Sequence, residues 1–142
     1  MPDIQHSLQF TAKPETIYPL ISSASGLRQW WAEDVIEADG ALELSFFKRS
    51  TVYRLRRLIA HPPLEVEWRC ETGQEWAATR IAFRLTEVKS GTLLRFTHAD
   101  WQAPSDYFVS CNTVWGELMF RLKAAAEGGS LGPLFTAAGM AR

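Results

Sequence analysis

The chain has 142 residues, of which 46% are hydrophobic and 22% charged, and its formal net charge is -1. That length suits one domain with one core, and the near-neutral charge excludes both a disordered charged segment and a strongly basic nucleic-acid binder. Aromatic content is the outlier: six Trp, eight Phe and three Tyr bring large, stiff faces suited either to a bulky core or to the walls of a pocket.

No stretch reaches the ~20 consecutive apolar residues that cross a bilayer, and residues 1–9 lack the basic and apolar regions of an export signal, so a soluble, cytoplasmic protein without a membrane partner is expected. Along the first segment His6, Leu8 and Phe10 alternate with Gln5, Ser7 and Gln9, which predicts a strand. Pro14 fits the first turn of a helix that continues through Ile17, Tyr18, Leu20 and Ile21, with Glu15 near its positive end. Pro19 lacks the N–H that such a helix needs, so the helix is expected to bend or break there. Ser25-Gly26 restarts the chain, and Leu27, Trp30 and Trp31 predict a second short helical turn in which two adjacent residues cannot both face inward.

From residue 33 to 97 the pattern changes to about six strands separated by the turn signals Ala38-Asp39-Gly40, Lys48-Arg49-Ser50, His61-Pro62-Pro63, Thr72-Gly73 and Ser90-Gly91. Leu42, Leu44 and Phe46 alternate with Glu43 and Ser45, and Leu64, Val66, Trp68 and Cys70 with Glu65, Glu67, Arg69 and Glu71. Ile81, Phe83 and Leu85 oppose Arg80 and Arg84, and Leu94, Phe96 and His98 oppose Arg95 and Thr97. One sheet face is therefore buried and the other wet.

After Trp101 and Pro104, apolar residues recur at Tyr107, Phe108, Cys111, Val114, Trp115, Leu118, Met119 and Leu122, while Arg121 and Lys123 fall elsewhere; this predicts a long amphipathic helix over about residues 105–127, closed by Gly128-Gly129. The reading is one domain over residues 1–128 and a loose Gly- and Ala-rich tail over 129–142, in which Leu131, Leu134 and Phe135 are apolar enough to fold back onto a groove. Strand, two short helices, a six-strand antiparallel run and one long helix make an α+β, helix-grip architecture: a curved antiparallel sheet of about seven strands around the C-terminal helix.

These residues resemble the START-related superfamily, often called SRPBCC, and within it the group similar to the C-terminal domain of the activator of the heat-shock protein 90 ATPase. The likeness covers about residues 4–127. It is carried by Ala12-Lys13-Pro14-Glu15-Thr16-Ile17-Tyr18, by Trp30-Trp31, Gly40, Pro62-Pro63 with Trp68, Gly91-Thr92-Leu93-Leu94 leading to His98, and Trp115 with Leu118 and Leu122. Tyr18 stands where tryptophan is common and Val114 where glycine is common; the valine narrows the space between helix and sheet. The resemblance implies a helix-grip fold with a hydrophobic pocket. It also implies a chaperone ATPase as partner and a place in the stress response, within a superfamily that includes lipid carriers, cyclases and aromatases.

Trp30, Trp31, Trp68, Trp76, Phe83, Phe96, Trp101, Phe108 and Trp115 are candidate pocket walls, joined by Phe46, Cys111 and Met119 on the same faces. His98 could orient a polar ligand atom or move a proton, or be a core histidine satisfied by Asp100 or Tyr107. The basic run Lys48, Arg49, Arg54, Arg56 and Arg57 reads as a solvated outer face balanced by Glu65, Glu67, Glu71 and Glu75. Cys70 and Cys111 belong to no metal-ligand cluster and read as reduced, buried thiols. No motif calls for a metal, nucleotide or other cofactor. The sequence thus points first to binding of a small apolar or aromatic ligand. A chaperone regulator and a cyclase- or aromatase-like enzyme using His98, with Tyr107 or Asp100, stand as alternatives, and a homodimer through a sheet edge or the outer helix face is left open.

Overall fold

Period-two alternation sets β1 (Ile4–Phe10), whose end residues Ile4 and Phe10 are buried while Gln5, Ser7 and Gln9 are exposed. The computed structural model describes residues 1–46, 51–73, 75–129 and 131–141. After β1 come α1 (Pro14–Ser22), α2 (Ala24–Leu27), β2 (Asp34–Ala38), β3 (Ala41–Phe46), β4 (Thr51–His61), β5 (Glu65–Cys70), β6 (Arg80–Val88), β7 (Gly91–Ala99) and α3 (Asp106–Ala126). The first seven strands form one antiparallel sheet in the order β1-β7-β6-β5-β4-β3-β2, curved around α3. This is the expected α+β helix-grip architecture.

Of the bend or break expected at Pro19, no break occurs, and α1 runs through it to Ser22. In a helix of nine residues its missing N–H forfeits a single bond, while burial of Ile17, Leu20 and Ile21 favours the helical path. The Ser22 and Ser23 hydroxyls donate to the carbonyls of Tyr18 and Pro19 and satisfy two acceptors of the last turn. α2 then crosses α1 at backbone contact: a Cβ on Gly26 would lie 2.0 Å from the Pro19 carbonyl oxygen.

That close approach sets the path of Trp30 and Trp31. They lie in the turn after α2 rather than on a helix, so the two neighbours need not point in opposite directions, and both are buried. Trp30 donates to the Leu20 carbonyl at 2.8 Å and meets Phe83 edge-on, whereas Trp31 stacks beside it and faces Trp115.

α3 is fastened at its C-terminal end. Lys123 donates to the Gln9 carbonyl at 2.6 Å, and Glu127 accepts from the Thr11 N–H at 2.8 Å, which ties this end to β1. At the other end Ser105 caps the helix by accepting from the Phe108 N–H.

The tail expected to be loose is docked where it is described. β8 (Phe135–Thr136) and β9 (Gly139–Met140) form a short hairpin, Leu134 is fully buried, and Phe135 bridges to Ala32. Leu131 stays exposed. Arg121, assigned by periodicity to the polar side of α3, is buried under this segment because its guanidinium finds carbonyl acceptors there.

On the outer face Arg54 and Arg56 pair with Glu71, Arg54 also with Glu43, and Arg80 and Arg84 with Glu67 and Glu65. Lys48 and Arg49 lie outside the described residues. Arg57 instead covers Trp68 and donates to the Ser22 carbonyl, closing the space below α1.

Gly26→Ala is expected to cost about 3 kcal/mol or more, because the added methyl meets unyielding backbone; urea unfolding measures it, and an unchanged midpoint would contradict the α1–α2 contact.

Candidate functional site

Between the N-terminal half of α3 and the β3–β4 side of the sheet lies a partly open cavity of about 750 Å3. Tyr107, Ser110, Cys111, Val114, Trp115 and Leu118 of α3 line one side, at the spacing of a single helical stripe. Phe46 of β3 and Thr51 and Tyr53 of β4 line another, Gly73, Glu75 and Trp76 of the β5–β6 loop a third, and Trp31, Phe135 and Met140 complete it. Val114 lines the cavity without closing it.

Its walls are braced by ring contacts. Tyr53 stacks on Trp76 with centroids 4.2 Å apart and planes 9° from parallel, and Trp31 meets Trp115 at 4.9 Å. The Tyr53 and Tyr107 hydroxyls hydrogen-bond each other. Burial pushes both phenols above their ordinary range, and the mutual bond adds to the effect at Tyr107, so both are neutral. Cys111 is raised by burial as well and remains a thiol. The Trp76 indole N–H is buried in this wall, without surface on the cavity, beside the Cys111 thiol, where it opposes part of the rise that burial causes.

Of the residues singled out from sequence, the cavity brings together Trp31, Phe46, Trp76, Cys111 and Trp115. Trp30, Trp68, Phe83, Phe96, His98, Trp101, Phe108 and Met119 are not among its lining. Trp68 donates to the Ile21 carbonyl beneath α1, Phe83 and Phe96 pack edge to face, and Trp101 and Phe108 pack on each other near the start of α3. Met119 is buried on the same helix. Tyr53 was legible in principle, since it shares the parity of Leu55 on β4. Thr51, Gly73 and Glu75 border loops, and Phe135 and Met140 belong to the tail, where no periodicity points inward.

His98 is fully buried and is satisfied by neither Asp100 nor Tyr107. Asp100 pairs with Arg80 at 2.6 Å, and Tyr107 with Tyr53. Instead the Trp115 Nε1–H donates to His98 Nδ1 at 3.1 Å, and His98 Nε2 lies 2.8 Å from Thr79 Oγ1. The Thr79 hydroxyl spends its one proton on the Trp76 carbonyl, so Nε2 carries the imidazole proton. The ring is thus a neutral Nε2–H tautomer surrounded by Trp76, Trp101 and Trp115. Burial pushes its pKa down to about 3. Neither nitrogen is left to serve a ligand in the cavity.

A family model described as Activator of Hsp90 ATPase homolog 1-like protein matches residues 11–127. The chain belongs to that family. Among solved structures, the Aha1 dimer from Colwellia psychrerythraea is similar over 91% of this chain and 98% of its own, with 29% identity and a TM-score of 0.81. Protein SSP2350 from Staphylococcus saprophyticus covers 91% of this chain and 94% of its own at 17% identity and TM-score 0.73. Protein MLL2253 from Mesorhizobium loti covers 92% and 100% at 15% identity and TM-score 0.76. The latter two likenesses concern the fold alone. No curated protein matches the chain. Among the described residues no helix is long and apolar enough to cross a membrane, and no group of side chains could hold a metal ion. In this member of the Activator of Hsp90 ATPase homolog 1-like family, Cys70 and Cys111 are free and buried, as their isolation in the sequence suggested.

The sign of the His98 pH effect follows from its depressed pKa. Between pH 6.5 and about 3 the unfolded chain binds a proton that the folded chain excludes, so stability is full above 6.5 and falls as pH drops. The slope is about 1.4 kcal/mol per pH unit. Urea titrations are expected to show a loss of about 2 kcal/mol from pH 7 to 5 as the slope builds toward that value, and His98→Gln to remove it; equal losses in both proteins would refute the buried neutral tautomer.

Proposed function

We propose that this protein binds a small apolar or aromatic molecule in the cavity beneath α3, as a cytoplasmic carrier that sequesters or presents it. The supporting observation is the cavity itself: about 750 Å3 walled by Trp31, Phe46, Tyr53, Trp76, Trp115 and Phe135. Volumes of roughly 300–1,000 Å3 with aromatic walls and few polar groups are those of small-molecule sites. The Tyr53–Tyr107 hydroxyl pair gives an otherwise apolar ligand a place for one polar atom. With both phenols and the Cys111 thiol held protonated, these groups offer hydrogen bonds rather than a base. The cyclase or aromatase reading loses its proton carrier, because His98 is sealed behind Trp76 and Trp115.

Titration with the neutral fluorophore N-phenyl-1-naphthylamine tests the binding reading. Saturable binding is expected, weakened at least about tenfold by Val114→Trp, which fills the space a ligand ring would occupy. Absence of binding to this probe and to a panel of lipids and polyphenols, together with no adduct in native mass spectrometry, would sink the proposal.

The family's name favours a second reading, regulation of a heat-shock protein 90 type chaperone ATPase. It requires complex formation and a change in ATP turnover when the protein is added to the chaperone of the same cell; turnover that stays constant, with no complex, removes it. The dimer described for the Colwellia protein supports a homodimer here as well.

A further inference from the structure

One side of the cavity is made by residues beyond the family match, which ends at residue 127. Phe135 and Met140 face each other across the β8–β9 hairpin, and both line the cavity; Phe135 also meets Phe46 edge-on at 4.8 Å. A hairpin with two-residue strands has no stability of its own, so its position is set by what holds it.

Two attachments hold it. On one flank the backbone pairs with the stretch after α2: Leu134 N–H donates to the Trp30 carbonyl at 3.2 Å, Phe135 N–H to Trp31 at 3.0 Å, and Glu33 N–H to Phe135 at 2.9 Å. The Glu33 carboxylate adds a bond from the Ala137 N–H at 2.7 Å. On the other flank the Arg121 guanidinium donates to the carbonyls of Leu131 at 3.2 Å, Gly132 at 2.9 Å, and Ala141. These acceptors sit before and after the hairpin, so one buried side chain staples both ends of the segment to α3. The planar fork of arginine reaches several acceptors at once, which a lysine could not do. Leu134, fully buried, is the apolar anchor between the two flanks.

A segment held by a few local attachments, and outside the seven-stranded sheet, can open at a lower free energy than the whole domain. We propose that residues 131–141 form a separately opening wall of the cavity, stapled by Arg121, through which ligand enters, and whose Phe135 and Met140 set the size of molecule accepted. The proposal rests on the ligand-binding reading for its purpose, but opening is measurable without any ligand.

The two thiols supply the measurement. Cys111 lines the cavity, whereas Cys70 lies in β5 with no exposed surface and a thiol pKa pushed up to about 12 by burial. In ligand-free full-length protein, Arg121→Gln and, separately, Leu134→Ala are expected to speed Cys111 labelling by an aromatic disulfide reagent at least about tenfold, the factor for losing one charge-assisted hydrogen bond or its equivalent. Cys70 labelling should not change. An unchanged Cys111 rate in both variants overturns the proposal, and so does parallel acceleration of both thiols, which would make the segment part of the global core. With N-phenyl-1-naphthylamine bound, Arg121→Gln should raise the dissociation rate by a similar factor, and Phe135→Ala should shift preference toward the larger perylene. Faster Cys111 labelling with an unaltered dissociation rate would refute the entry route. Faster labelling in a protein that binds no probe would sink the ligand-binding reading and leave the opening wall supported.

Discussion

A buried line of hydrogen bonds ties the cavity together: Trp115 Nε1–H to His98, His98 to Thr79, and Thr79 to the carbonyl of Trp76. It connects α3, β7 and the β5–β6 loop, three elements far apart in the sequence, and every member points the same way, donor to acceptor. Leaving one of these groups unpaired would cost about 1–3 kcal/mol, and the tryptophans at the two ends of the line, Trp115 by its indole and Trp76 by its main-chain carbonyl, line the cavity. His98 therefore acts on any ligand only through the tryptophans it positions. Its depressed pKa is the signature of this structural role, because a second ring proton would have to face the Trp115 N–H in an apolar surround.

The same helix serves two kinds of interior. Toward its C-terminal end α3 is pinned to β1 by Lys123 and Glu127. On the other side of the interior Ile17, Ile21, Trp30, Trp68 and Phe83 close a solid core under α1. Toward its N-terminal end the sheet side is occupied by rings that brace one another, Tyr53 on Trp76 and Phe46 against Tyr53, and these keep the helix off β3 and β4. The cavity is thus the consequence of stiff aromatic spacers at one end and direct fastening at the other.

This division explains which parts of the architecture could be read from residues. In strands β3, β5, β6 and β7 the inward residues, from Leu42 to His98, follow from parity, although Ser45, Glu67 and Ala82 of the opposite parity are buried as well. The stripe of α3 follows likewise from its period. The cavity is different, because strand ends and loops supply Phe46, Thr51, Gly73, Glu75 and Trp76, where no period operates. Trp30 and Trp31 misled for a related reason: helical geometry forbids two adjacent inward residues, but the chain there is a turn. In the tail, Gly and Ala argued for looseness, and only the burial of Leu134 and the buried Arg121 reveal what holds it. An arginine among polar residues on a helix carries no sequence mark of being covered by a later segment.

The size of the cavity constrains what can fill it. The cavity is partly open to solvent, so its 750 Å3 is not a dry void. The space must therefore hold water or another molecule. Water needs two to four polar partners to be comfortable, and the polar residues on these walls, Thr51, Glu75, Ser110 and the Tyr53–Tyr107 pair, are a minority of the lining. Elsewhere water would face indole and phenyl rings that cannot bond it, and an apolar solute displacing it would gain the transfer free energy of both surfaces. On the ligand-binding reading proposed above, these walls would favour exchange of water for an apolar guest, with the hydroxyl pair as the place for one polar atom.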